Sequence, residues 1–244
     1  MPKLRVNNQK QEAEFILFDL DGTLIDDRER GRRLAESRVE AMTERAGRAV
    51  AETWARLSGV DPDSFSVDME GPLSKAPRRE DLTVAAVALY QHGHPWHRAR
   101  ELSKIIYDEA DEIQRRSYVP LFFPGVRATL EELRSTGLSL GVATNGEASL
   151  ARGVLEKLDA LRLFDVVVGA DMVNDGKPAP DMILMACELA GTPPEKTVYV
   201  GDQPTDAQAG SRAGAALVVG VGSRELLDAG ADTIVDSVSE LKTV

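Results

Sequence analysis

Short, nearly uninterrupted apolar runs punctuate the chain at residues 15–19, 138–144, 166–169, 198–201 and 216–219, with a weaker one at 233–235. Each is too short for a helix and rich in Val, Ile and Leu, and none alternates apolar with polar. That is the pattern of strands covered on both faces, as in a parallel sheet. From residue 125 onward, helical patterns alternate with these runs: 125–136, stopping at Gly137, then 147–158, then 178–190, stopping at Gly191. Strand–helix alternation predicts an α/β domain with helices on both faces of a parallel sheet.

The texture changes between the first two runs. Residues 27–117 carry no buried-strand pattern and predict helices over 28–57, 82–92 and 96–118, the first two separated by a breaker-rich stretch, 58–77. An interval of roughly 90 residues far exceeds the 2–6 residues that usually connect elements of an α/β unit. The chain therefore divides into a core, 1–26 and 118–244, and a helical domain, 27–117, inserted straight after the first strand. Residues 119–125, with Pro120 and Pro124, form the return linker.

Four short motifs fall at predicted strand ends, where open α/β sheets place their ligands. Asp19-Leu20-Asp21-Gly22-Thr23 follows the first run, and two carboxylates at i and i+2 of an extended chain point the same way. Thr144-Asn145-Gly146 ends the second run, and Asp175-Gly176-Lys177-Pro178 precedes a helix. Taken alone, that Thr suits a helix N-cap and that Lys a solvated loop. The Lys string does not fit the phosphate-binding loop of nucleotide triphosphatases. Gly201-Asp202-Gln203-Pro204-Thr205-Asp206 ends the fourth run, with Asp202 and Asp206 four apart at a helix start and hence on one face.

Together the motifs bring four carboxylates, a hydroxyl and an ammonium to one sheet edge. So many like charges require neutralisation, which a hard divalent cation with oxygen ligands supplies alongside Lys177. The set matches phosphoryl transfer: a carboxylate nucleophile, a second carboxyl as proton donor, a metal, and donors for the phosphoryl oxygens.

In this order the motifs DLDGT, ATN, GKP and GDxxxD resemble those of the haloacid-dehalogenase-like phosphatases with a helical cap inserted after the first motif. The resemblance covers nearly the whole core and the position of the cap, while the cap sequence itself matches weakly. It implies a Rossmann-like core and a cap that closes over a small phosphorylated metabolite. It further implies that Asp19 is the nucleophile, forming an aspartyl-phosphate, and that Asp21 protonates the leaving alkoxide and then takes a proton from water. Thr144 and Lys177 are expected to hold phosphoryl oxygens, with Gly22, Thr23, Asn145 and Gly146 beside them as candidate substrate contacts. Mg²⁺ is expected on Asp19, the backbone carbonyl of Asp21, and Asp202, with Asp206 behind them supporting either the metal or Lys177.

Asp21 sets dehalogenation aside, because a halide leaving group needs no proton and dehalogenases lack a carboxylate there. Hexose-phosphate mutases such as β-phosphoglucomutase resemble the chain through Arg78-Arg79-Glu80-Asp81-Leu82, where Arg79 is the candidate for the distal end of the substrate. The alternative for this pair is a solvated helix start. Mutases carry a His where this chain has Gly31, and commonly Val where it has Thr23. Both departures favour hydrolysis, as in phosphoglycolate-phosphatase-like enzymes. A third reading, a phospholigand-binding module without turnover, would predict loss of Asp19, Asp21 or Lys177, and all three are present.

The net charge of −11, from 29 Lys and Arg against 40 Asp and Glu, argues against nucleic-acid partners. Its distribution is uneven: residues 27–117 hold 16 basic and 17 acidic side chains, so the core carries −10. Capture of an anionic substrate must then rest on the metal, Lys177 and local basic groups of the cap. No apolar run approaches membrane-spanning length and the first residues lack a signal-peptide core, so a cytoplasmic protein, monomer or homodimer, is expected. Cys187 is alone, which excludes a disulfide framework, and reads as a small core residue. His92, His94 and His97 allow a metal site, but the Gly and Pro among them favour a turn. Residues 219–223 read as a loop. Phe65, Met69 and Lys75, in the breaker-rich stretch, are where substrate identity is expected to be read.

Overall fold

A computed structural model describes residues 3–7, 9–68, 71–76, 78–117 and 119–243, without the side chains of residues 27–29, 75, 115 and 117. The chain forms two compact units, Met1–Asp26 with Pro120–Val244, and Asp27–Val119.

The first unit contains strands β1 (Lys3–Val6), β2 (Gln9–Glu12) and β3 (Phe15–Phe18). After the insertion come α6 (Val126–Ser135), β4 (Ser139–Thr144), α7 (Ala148–Lys157), β5 (Val166–Gly169), α8 (Asp181–Ala190), β6 (Thr197–Gly201), α9 (Pro204–Ala213), β7 (Leu217–Val221), β8 (Thr233–Val235) and β9 (Lys242–Thr243). Six strands build a parallel sheet in the order β5-β4-β3-β6-β7-β8. Phe15 of β3 pairs with Ser139 of β4 on one side and Thr197 of β6 on the other. All four residues of β3 are buried, because the sheet is covered twice. Ile16, Phe18, Val142, Val198 and Val200 pack with α6 and α7 residues Leu130, Leu133 and Leu155. Phe15, Leu17, Ala143 and Tyr199 pack with α8 and α9 residues Met182, Ile183, Cys187 and Ala209. The strand order reverses at β3, so the C-terminal ends of β3, β4 and β6 open a crevice of the kind that binds ligands in such sheets.

All six predicted runs are strands, with two adjustments. The last full strand continues through Val221, so only Gly222 and Ser223 of the expected 219–223 loop lie outside it. The helix expected from 178 starts at Asp181, because the residues preceding Pro178 and Pro180 are biased away from helical backbone. A second, antiparallel sheet, β2-β1-β9, joins the first and last described segments.

The inserted unit is helical: α1 (Asp27–Ala46), α2 (Arg48–Leu57), α3 (Pro72–Lys75), α4 (Arg78–Gln91) and α5 (Trp96–Ser117). The helix expected over 28–57 is two, broken at Gly47, whose φ of 91° lies where L-residues are strained. The unit's core includes Met42, Ala51, Trp54, Ala85, Leu89, Ile106 and Tyr107. A polar network runs through it. The Trp54 indole donates to the Tyr107 hydroxyl at 2.9 Å, which donates to Asp81 Oδ1 at 2.7 Å. Arg38, buried, lies 3.4 Å from the Tyr107 ring centroid and donates from Nη2 to Asp111 at 3.0 Å. Among the described residues no helix is long and apolar enough to cross a membrane.

Candidate active site

The apolar run of β3 delivers Asp19 to the C-terminal edge of the sheet, where its backbone N–H still pairs with the Val200 carbonyl at 2.8 Å. The chain then turns sharply: Leu24 and Ile25 both donate to the Leu20 carbonyl at 3.0 Å, and Gly22 donates to Ile25 at 2.9 Å. Gly22 has φ +85°, and a Cβ there would collide with the Asp202 carboxylate. The glycine therefore permits both the turn and the approach of Asp202. Thr23, buried, donates its hydroxyl to Asp202 Oδ1 at 2.7 Å, while the Gln203 side chain donates to Asp202 Oδ2 at 2.9 Å.

Lys177 lies at the centre. Its ammonium donates to Asp19 Oδ1 at 2.5 Å, to Asp206 Oδ1 at 2.6 Å and to the Ala143 carbonyl at 3.1 Å. Asp206 is only 1 % exposed, and its Oδ2 accepts the Gln203 backbone N–H at 2.9 Å as part of the α9 capping box. Its Oδ1 also accepts the Tyr199 hydroxyl at 2.8 Å. Thr144, buried at the end of β4, accepts the Gly146 N–H at 3.1 Å. Asn145 bonds the backbone of Lys177 through both its oxygen and its nitrogen.

Burial raises the pKa of Asp19 well above the usual carboxylate range; the Lys177 charge opposes this, and the Asp206 and Asp202 charges reinforce it. Desolvation is the largest single influence on Lys177 and works to discharge it, but Asp19, Tyr199 and Asp206 outweigh it and hold the pKa well above the ordinary lysine value. Tyr199 is pushed up by burial and then by the Asp206 charge, so its phenol keeps its proton and acts as a donor.

Carboxylate oxygens of Asp19, Asp202 and Asp206 lie within 4.8 Å of one another, and these three form the one metal-type cluster of His, Cys, Asp or Glu among the described residues. An all-oxygen donor set of this kind fits a hard divalent cation. Asp206 receives three donors, from the Lys177 ammonium, the Tyr199 hydroxyl and the Gln203 backbone N–H.

The structure thus brings Asp19, Thr144, Lys177, Asp202 and Asp206 to one edge of the sheet, with Gly22, Thr23, Asn145 and Gly146 in the turns around them. Asp21 is half-buried two residues beyond Asp19, in a bridge with Ile25. Arg79 belongs to the other unit, where it is exposed on the first turn of α4 beside Arg78, whose guanidinium pairs with Asp111 at 2.6 Å. His92 bonds Thr53 at 2.8 Å, and the three histidines form no metal-type cluster among the described residues. Phe65 packs against the helical core with φ 57°. Met69 and Tyr118 lie outside the described residues, as does the side chain of Lys75. Sequence reasoning overlooked Tyr199. Its signal was a phenol in a strand otherwise buried and apolar, where a hydroxyl needs a partner.

A family model for haloacid dehalogenase-like hydrolases matches residues 14–214. The phosphoglycolate phosphatase of Shigella boydii is 31% identical over 247 residues, covering 96% of this chain and 93% of its own. The phosphorylated carbohydrates phosphatase of Thermotoga maritima is 29% identical over 229 residues, covering 91% and 94%. Among solved structures, one from Thermotoga maritima provisionally assigned to β-phosphoglucomutase superposes with a TM-score of 0.69 at 26% identity, covering 93% of this chain and 95% of that one. The motif order, the inserted helical unit and these likenesses agree: the chain belongs to the haloacid dehalogenase-like hydrolases.

Proposed function

We propose that the protein is a Mg²⁺-dependent phosphatase that hydrolyses a small phosphorylated metabolite, in the manner of phosphoglycolate phosphatases, through an aspartyl-phosphate on Asp19. The observation that carries this reading is the Lys177 ammonium held between Asp19 and Asp206, with Asp202 alongside, at the C-terminal end of a parallel sheet. In the first step an Asp19 carboxylate oxygen attacks phosphorus, and the bond to the ester oxygen breaks. The Asp21 carboxyl passes its proton to the leaving alkoxide. In the second, water attacks the same phosphorus and yields a proton to Asp21, the acyl-phosphate bond breaks, and Asp19 is regenerated with release of inorganic phosphate. Lys177 and the Thr144 hydroxyl hold the equatorial oxygens, where charge is greatest in the transition state. Asp19, Asp202 and the Asp21 backbone carbonyl would hold Mg²⁺, whose charge offsets that of the carboxylates and the phosphoryl group. A cation there also favours the ionised form of Asp19, which burial disfavours.

Arg79, on α4, is the candidate for the distal end of the substrate. Sugar-phosphate mutase is the second reading, favoured by the likeness to the Thermotoga maritima structure. Phosphate release from a panel of phosphomonoesters with Mg²⁺ tests both, with Asp19→Asn as control. Hydrolysis abolished by that substitution, with the fold intact by circular dichroism, is the expected result. Undiminished release by the variant removes Asp19 from its role. Interconversion of hexose phosphates faster than phosphate release makes the protein a mutase.

A further inference from the structure

We propose that Tyr199 is a positioning residue for phosphoryl transfer: through Asp206 it sets the place of the Lys177 ammonium. This deepens the phosphatase reading and rests on it for its kinetic consequence. Tyr199 lies in the middle of β6, wholly buried, with its ring on the face that packs Phe15, Leu17 and α8. Its hydroxyl reaches Asp206 Oδ1 at 2.8 Å, the same oxygen that accepts Lys177 Nζ at 2.6 Å. The other oxygen of Asp206 is fixed by the Gln203 backbone N–H at 2.9 Å. The carboxylate is thus pinned at both ends, by a strand through Tyr199 and by a helix terminus through Gln203, so its plane cannot swing.

Consider the ammonium with the phenol hydroxyl removed. Asp206 Oδ1 then has only Lys177 as donor, and the carboxylate can turn about its remaining bond to Gln203. Lys177 is carried on a loop, and its other acceptors are Ala143 and Asp19. Asp19 is the proposed nucleophile, whose oxygen must be free to bond phosphorus, so it cannot serve as the fixed point for the ammonium throughout turnover. Asp206 can, because it stays outside the bonds that form and break. Tyr199 supplies the second anchor that makes Asp206 rigid. Misplacement of a transition-state donor by a fraction of an ångström lowers the chemical step while leaving ground-state affinity nearly unchanged.

The test is Tyr199→Phe, which deletes one oxygen from a packed ring and keeps its shape. With p-nitrophenyl phosphate and saturating Mg²⁺, kcat is expected to fall at least about tenfold, the scale of a lost hydrogen bond to a charged group, with KM within about twofold. In an Asp206→Ala background, which has no acceptor for the hydroxyl, the same substitution is expected to cost less than about twofold more, because its effect passes through that carboxylate. A readout independent of turnover is the ¹⁵N-detected signal of the Lys177 ammonium in the metal-free protein, whose proton exchange is expected to quicken in Tyr199→Phe. Wild-type kcat in Tyr199→Phe, or an undiminished loss in the Asp206→Ala background, overturns the proposal. If the wild-type protein releases no phosphate from any ester, the phosphatase reading fails instead, and the ammonium signal alone decides: unchanged exchange overturns the positioning role, and quickened exchange upholds it.

Discussion

Asn145 brackets the backbone of Lys177. Its side-chain oxygen accepts the Lys177 N–H at 2.9 Å, and its side-chain nitrogen donates to the Lys177 carbonyl at 3.2 Å. The loop that presents the ammonium is therefore fastened to the end of β4, one residue past Thr144. Asn145→Ala removes both bonds. A fall in kcat of roughly tenfold, with little change in KM, is expected from steady-state phosphate release, the scale of about 1–1.5 kcal/mol for losing such bonds. Wild-type kcat in the variant would mean that the loop is held by its other contacts.

Lys177→Ala has two consequences that separate. If Lys177 is the transition-state donor proposed, its removal is expected to cost about 3–4 kcal/mol, a fall in kcat of several hundredfold. It also leaves the carboxylates of Asp19, Asp202 and Asp206 facing one another without the cation that lies 2.5 Å from the first and 2.6 Å from the last. The variant should melt at a lower temperature than wild type in chelator, and Mg²⁺ should restore more of the loss than it adds to wild type. Equal Mg²⁺ shifts for both proteins in a thermal melt would contradict this.

Thr23→Val keeps the shape of the side chain but deletes the hydroxyl that donates to Asp202 Oδ1 at 2.7 Å. Partners behind a metal ligand are typically worth 10–100-fold in affinity. Titration calorimetry with Mg²⁺ is expected to show binding weaker by about tenfold, and KM for Mg²⁺ in the phosphatase assay should rise in parallel.

In the helical unit, Tyr107→Phe tests the buried network. The Tyr107 hydroxyl accepts from Trp54 and donates to Asp81, so its loss leaves an indole N–H without that acceptor and takes a hydrogen bond from a buried carboxylate that keeps Arg38 at 3.9 Å. A destabilisation of about 2–3 kcal/mol is expected from urea denaturation at neutral pH. A loss below about 0.5 kcal/mol would show that the network adds little.

The same site has a pH signature. Burial raises the pKa of Asp81 above its ordinary value, against the Tyr107 hydrogen bond and the charges of Arg38 and Arg78. A carboxyl with a raised folded pKa binds its proton more tightly in the native state, so its contribution to stability falls as pH climbs from the ordinary value, about 3.9, through the folded one, and is constant beyond. Because Tyr107 favours the ionised carboxylate, the cost of Tyr107→Phe should shrink as pH is lowered through that window. A cost independent of pH would exclude Asp81 as the hydroxyl's partner.

What could be read in the sequence followed from physics that acts locally. Strands such as β3 and β5, apolar on both faces, declared themselves because double burial leaves no polar position in the run. The motif carboxylates could be placed because strand ends and helix starts can be seen in the chain. Gly47 broke a helix that the flanking periodicity carried straight through, since a lone glycine is tolerated in helices and its φ of 91° has no sequence marker. The strand β2, Gln-Lys-Gln-Glu, had no apolar signal because backbone pairing with β1 holds it in place, and β1 in turn pairs with β9 from the far end of the chain. Arg38 is one of several arginines on α1, and only the tertiary arrangement puts it over Tyr107. Tyr199 passed for an ordinary strand residue because its partner, Asp206, lies on the next helix.

An ammonium has three N–H groups, and those of Lys177 all have acceptors: the Asp19 carboxylate, a helix-terminal carboxylate and a main-chain carbonyl. A phosphoryl oxygen can therefore join only by substitution, and under the proposed chemistry the partner to yield is Asp19. Forming the acyl-phosphate would turn the charged carboxylate into a weakly basic acyl group, so the Lys177 N–H is released at the moment the phosphoryl group needs it. Hydrolysis restores the carboxylate and with it the original pairing. On that chemistry the ion pair works as a relay, handed to the substrate in one half-reaction and taken back in the other.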